Sequence, residues 1–183
     1  PANRSRLSPV NFQDTQLIGV LARAESTVSS LSSLLGGLVE KFAARGYSLY
    51  LVGGSVRDAL LGRLGNDLDF TTPARPEVVK EILDEWAETV WDTGIDFGTV
   101  SAAYKGQQIE ITTFRSDSYD GQSRNPEVVY GDTLEGDLVR RDFKANAMAI
   151  ELLADASFKF HDPLHGLHDI ADRCLLYTSL MAR

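Results

Sequence analysis

Apolar residues first fall into a helical rhythm in "STVSSLSSLLGGLVEKFAARG" (26–46), where Leu31, Leu34, Leu35, Leu38 and Phe42 keep near-helical spacing and Gly46 offers a stop. Residues 1 to 25 show no strong period and are expected to form an N-terminal extension. "YSLYLVGG" (47–54) predicts a short apolar strand running into a glycine pair, and "SVRDALLG" (55–62) predicts a helix closed by Gly62. "DLDFTT" (67–72) alternates polar and apolar positions and predicts a strand. "PEVVKEILDEWAETV" (76–90) predicts a helix with Pro76 near its start, and Trp86 and Trp91 are expected in the core. "FGTVSAAY" and "QQIEITTF" suit a hairpin turning at "KGQ", whereas "RSDSYDGQSRNPEVVYGD" (115–132) is polar and predicts a loop. "TLEGDLVRRDFKANAMAIEL" (133–152) predicts a helix with Leu134, Leu138 and Phe143 along one stripe. "FKFHDPLHGLHDIADR" (158–173) predicts a short strand, a turn and the start of a helix. No internal repeat is visible. This order predicts a mixed α/β (α+β) fold, a small mixed sheet flanked by helices.

Composition adds bounds. The chain has 183 residues, enough for one domain with an appendage, and 43% apolar with 24% charged residues is ordinary for a globular protein. No apolar run approaches the roughly 20 residues that cross a bilayer. "PANRSRLSPVNFQDTQ" lacks the apolar core of a signal peptide, so cytoplasm is the expected compartment. The single Cys174 excludes an internal disulfide framework and a thiolate cluster. A net charge of −8 argues against a broad nucleic-acid surface on this chain, although it suits carboxylates that carry divalent cations.

Two stretches carry candidate chemistry. Gly53 and Gly54 end a strand and open a helix, which presents backbone N–H groups and the positive end of the helix dipole to an anion. Ser55 is the expected N-cap, and Arg57 falls in the first helical turn, where an anion would offset it. Downstream, Asp67 and Asp69 share a strand face while Leu68 and Phe70 enter the core. The acids alone fit a metal site, a phosphorylation nucleophile or a solvated strand face. Adjacent carboxylates repel unless a cation neutralises them, and Mg²⁺ takes such ligands together with substrate phosphates. Glu110, opposite in side to Ile109 and Ile111, completes a carboxylate cluster if its strand lies beside the first. "DLDFT" also satisfies the Asp-x-Asp-x-Thr pattern of haloacid-dehalogenase-type phosphatases, but that fold needs a long apolar strand before the nucleophile. Here "LGRLGN" precedes it, a polar break after a helix.

The chain resembles the polymerase β nucleotidyltransferase superfamily, and within it the bacterial-type (class II) CCA-adding tRNA nucleotidyltransferases and poly(A) polymerases. The resemblance lies in "LVGGSVRDALLGRLGNDLDFTT", "ITTFRSD", "DLVRRDFKANAMAI" and "HDPLHGLHDI", and spans about residues 46 to 173. It implies a polymerase β-like palm, with an extension over 1–25, a catalytic domain over 26–150, and the start of a neck region over 151–183. It implies Asp67 and Asp69 as ligands of two Mg²⁺ ions, with Glu110 as a third acidic residue. Gly53, Gly54, Ser55 and Arg57 would meet the incoming nucleotide, as would Arg141, Asp142 and Asn146 in the "RRD" motif. Lys144 stands where the family usually has threonine. The implied partners are CTP or ATP and the 3′ end of tRNA. The implied reaction is CCA addition, with poly(A) synthesis, partial CC- or A-addition, or a catalytically incompetent nucleotide-binding fragment as alternatives. Base selection and the tRNA grip belong to regions downstream in the family, and "CLLYTSLMAR" does not look like that continuation. His161, His165 and His168 fall in a motif that the family explains as a turn into a helix, so zinc is not expected there.

Overall fold

The structure, a computed structural model, describes residues 12–35, 37–116, 128–141, 146–168 and 170. Helix α1 spans Phe12–Leu35 and helix α2 spans Leu38–Ala44, with Gly37 at φ 84° breaking them apart. Val20, Ala24, Val28, Leu31 and Leu35 are buried in the core at helical spacing. The helix thus reaches well into the segment expected as an extension. After α2, the Gly46 N–H bonds to the Ala43 carbonyl and the Tyr47 N–H to the Phe42 carbonyl. This Schellman pattern realises the predicted stop at Gly46.

Strand β1 (Leu49–Val52) passes directly into helix α3 (Gly53–Leu60), and β2 follows at Asp67–Thr72. Gly62 closes α3 with the same paired bonds, to Ala59 and from Arg63 to Asp58. Helix α4 (Pro76–Asp84) is shorter than its sequence pattern predicts, because Thr89–Trp91 forms strand β3. Trp91 is therefore 42% exposed on a strand rather than buried on a helix. Trp86 stacks on Tyr104 with ring centroids 4.0 Å apart. Strands β4 (Thr99–Tyr104) and β5 (Gln107–Thr113) form the expected hairpin, turning through Lys105 at φ 47° and Gly106 at φ 77°.

Helix α5 covers only Leu134–Val139, and strand β6 occupies Ala149–Leu152. The single long helix expected over 133–152 is corrected accordingly. Its apolar "AMAI" run suits a buried strand as well as a helix, and pairing with β1 on one side decides the outcome. Strand β7 (Phe158–His161) pairs on the other side of β6. The expected boundary at 150/151 therefore falls inside a strand of the main sheet, and residues up to 161 belong with it.

The seven strands run in the order β3-β4-β5-β2-β1-β6-β7. Every neighbouring pair is antiparallel except β2 and β5, which run parallel at the centre. One face carries Leu49, Leu51, Leu68, Phe70, Ile109 and Ile111 into a core shared with α1, α2, α3 and α4. The other face is covered in part by α5, through Leu138 and Leu134 against Val52, Ala149 and Tyr50. The uncovered part of that face is polar. No helix among the described residues is long and apolar enough to cross a membrane.

Candidate active site

Strand β2 has the alternation that its sequence demands. Leu68 and Phe70 are buried, while Asp67 and Asp69 emerge together on the polar face. The parallel register sets Asp69 opposite Glu110 and Asp67 opposite Gln108. Glu110 thus stands on the neighbouring strand, as expected. Among the described residues, however, no three acidic, His or Cys side chains converge as a metal cage, so Asp67, Asp69 and Glu110 do not form a closed cluster. His161 lies 3.3 Å from Glu151, and the histidines of its motif form no metal group among the described residues either.

The glycine turn approaches this pair from the side. Strand β1 pairs with β2 only at Thr71 and Phe70, because the chain leaves the sheet at Gly53. Gly53 takes φ 64°, and a Cβ there would lie 3.6 Å from Arg141 Nη1 and 3.9 Å from Asp69 Oδ2. A side chain at 53 would therefore stand between the arginine and the carboxylate. Ser55 does not cap α3, since Val52 holds the N-cap position and no side chain bonds there. The buried Ser55 hydroxyl instead accepts the Asp69 N–H at 3.0 Å and donates to the Asp67 carbonyl at 3.4 Å. It takes the place of the missing strand partner and fixes the backbone between the two acids.

Arg57 lies past the first turn of α3, with its Nε 3.1 Å from the carboxylate of adjacent Asp58. Its guanidinium lies against the glycine turn, where a Cβ on Gly54 would be 3.3 Å from Arg57 Nη2. Arg141 follows the end of α5 rather than lying within a helix, and Asp142 is outside the described residues.

Two adjoining clefts share Asp69, Arg140 and Arg141. The smaller, of about 210 Å³, is lined also by Val52, Glu110, Thr112 and Arg115. The larger, of about 370 Å³, adds Gly53, Gly54 and Asn146. Asn146 Oδ1 and Arg141 Nε are buried without protein hydrogen-bond partners among the described residues, which leaves unsatisfied polar groups at the site. Desolvation by the surrounding protein raises the Asp69 carboxyl above its ordinary range; Arg141 opposes this and the negative Asp67 adds to it. A hard divalent cation fits this donor pair, since it would relieve the repulsion between the two carboxylates.

Sequence reasoning missed the residue that organises the arginines. Asp137 is completely buried and accepts hydrogen bonds from Arg140 and Arg141. Burial alone would raise its carboxyl, but the Arg115 N–H and the two guanidinium groups hold it below the usual range. The available signal was its spacing of three and four residues from two arginines at the end of a predicted helix.

The poly A polymerase head domain family model matches residues 49–176 of the chain. The CCA-adding enzyme of Lactobacillus helveticus is 49% identical over 131 residues, which cover 71% of this chain and 31% of that enzyme. The crystal structure of the Bacillus stearothermophilus CCA-adding enzyme in complex with CTP superposes with a TM-score of 0.59 at 38% identity, covering 73% of this chain and 30% of that one. A tRNA nucleotidyltransferase crystallised with a primer tRNA and an incoming ATP analogue gives 0.59 at 30% identity, over 74% of this chain and 36% of that one. The chain thus spans about a third of the length of the relatives it matches. With the family model covering most of the sheet together with the glycine turn, the carboxylate strand and the arginine pair, the chain belongs to the poly A polymerase head domain family.

Proposed function

We propose that this chain is the catalytic portion of a nucleotidyltransferase that adds CTP- and ATP-derived nucleotides to the 3′ end of tRNA, completing CCA. The observation that carries this reading is the meeting of Asp69, the Gly53–Gly54 turn and the Arg140–Arg141 pair in one cleft, with Asp67 two residues before Asp69 on the same strand face. The relatives compared above include CCA-adding enzymes, which supports CCA addition over poly(A) synthesis.

Asp67 and Asp69 would hold Mg²⁺, as a two-ion site; bound there, the metal supplies charge neutralisation and activates a hydroxyl as nucleophile. Ser55 holds the backbone of both acids, so their side chains stand in a fixed relation on the polar face of the strand. Arg141 and Arg140 receive the phosphates, and the turn at Gly53 lets them approach the backbone. Asn146 offers its unsatisfied carbonyl oxygen to the sugar or base. The tRNA 3′-hydroxyl attacks the α-phosphate in line, and pyrophosphate leaves toward the arginines. Positioning and preorganised charge account for the acceleration.

The test pairs isothermal titration of CTP and ATP in Mg²⁺ with a tRNA 3′-extension assay on the same preparation. Asp67→Ala with Asp69→Ala is expected to lower extension at least about a hundredfold. Unchanged extension would overturn the carboxylate assignment. A second reading rests on the chain's spanning about a third of its relatives: binding of CTP without extension would mark it as a nucleotide-binding portion that transfers nothing alone.

A further inference from the structure

Asp137 lies outside both the carboxylate pair and the glycine turn, yet it touches what surrounds them. Its Oδ1 accepts the backbone N–H of Arg115 at 3.0 Å, and Nε and Nη2 of Arg140 at 3.2 and 2.9 Å. Its Oδ2 accepts Nη2 of Arg141 at 2.9 Å and lies 3.3 Å from the Thr71 hydroxyl. That hydroxyl shares its proton with the Thr112 carbonyl at 2.9 Å. Thr71 is two residues after Asp69, on the same face of β2. A single buried carboxylate therefore ties the end of α5 to the strand that carries the acidic pair.

Electrostatics make this tie consequential. Arg140 and Arg141 are adjacent like charges, each with side chains 21% exposed, and both could turn toward solvent. Charge-assisted hydrogen bonds to a fully buried acceptor are strong and directional, so the pair is held at the cleft before any ligand arrives. Resting on the nucleotide reading above, we infer that Asp137 is a positioning residue that sets the distance between the arginine pair and Asp67–Asp69, so that the cleft accepts a polyphosphate spanning the two. It touches no substrate itself. The positive groups that it orients do.

The experiment titrates the whole chain and its Asp137→Asn variant with inorganic tripolyphosphate and, separately, with CTP, both in Mg²⁺. Near-ultraviolet circular dichroism of the stacked Trp86–Tyr104 pair, which lies away from the cleft, reports that the fold is intact. The expected result is a folded variant whose dissociation constants for both probes rise about tenfold or more. A merely structural role would lower the melting temperature and leave these constants unmoved. If Asp137→Asn does not fold, Thr71→Val removes the hydroxyl's contacts to Asp137 and to the Thr112 carbonyl without a charge change, and an increase of about two- to tenfold is expected. Unchanged tripolyphosphate affinity in a folded variant overturns the inference, as does a wild-type chain that binds neither probe. Asp137-dependent binding of tripolyphosphate without any binding of CTP would sink the nucleotide reading and leave the positioning role standing.

Discussion

At the scale of single residues, the site trades stability for chemistry. Asp69 sits in partly desolvating surroundings beside a second acid, and its carboxyl is raised above the ordinary range. The unfolded chain ionises first as pH rises. The protonated form thus contributes stability that is fully present below the ordinary carboxylate pKa and is lost as pH climbs through the raised one. Asp69→Asn is therefore expected to melt higher than wild type at pH 7 without metal or nucleotide, with the gap closing on acidification. Thermal scans from pH 3 to 7 check this, and a variant that melts lower than wild type at pH 7 would contradict it. The two acids were legible in sequence because strand periodicity and charge repulsion both act locally. The part played by Ser55 was not. It depends on β1 leaving the sheet before it could pair with Asp67 and Asp69, which is a relation between segments.

At the scale of elements, the amphipathic faces were legible wherever one face was clean. In α1 the signal is blurred by Ile18 and Leu21, which are apolar yet 62% and 39% exposed. They fill in the polar gaps of the stripe and hide the buried column of Val20, Ala24 and Val28. A charge placed on that column distinguishes a packed helix from a loose extension. Val20→Asp is expected to destabilise the fold by about 3 kcal/mol or more, because the carboxylate would be buried unpaired. Ile18→Asp on the exposed side should stay within about 0.5 kcal/mol. Urea denaturation of the two variants decides the matter. Helix α5 failed in the opposite way. Its residues continue into helix-favouring "KANAMA", but pairing between β6 and the strands on either side overrides local propensity.

For the whole molecule, the central parallel pairing of β2 with β5 gathers the chemistry onto one face and the core onto the other. That division of labour was legible from the alternation in both strands, although their adjacency was only a condition in the sequence. Net charge was legible too, and so was its apparent conflict with an anionic ligand. The arginine pair anchored by Asp137 resolves the conflict in space, but it leaves a kinetic trace. A nucleotide far from the surface meets a body of net charge −8 and is repelled, while inside the cleft it meets Arg140 and Arg141 and is attracted. Salt screens the first interaction over a Debye length of about 10 Å at 0.1 M, and it weakens the second as well. Raising ionic strength from about 20 to 200 mM should accordingly speed the encounter while loosening the complex, a pattern that stopped-flow mixing would reveal as faster arrival together with still faster departure. An arrival rate that fell with salt would mean that the cleft's local field governs approach from the outset. The buried carboxylate would then shape the nucleotide's path through solvent as well as its resting place.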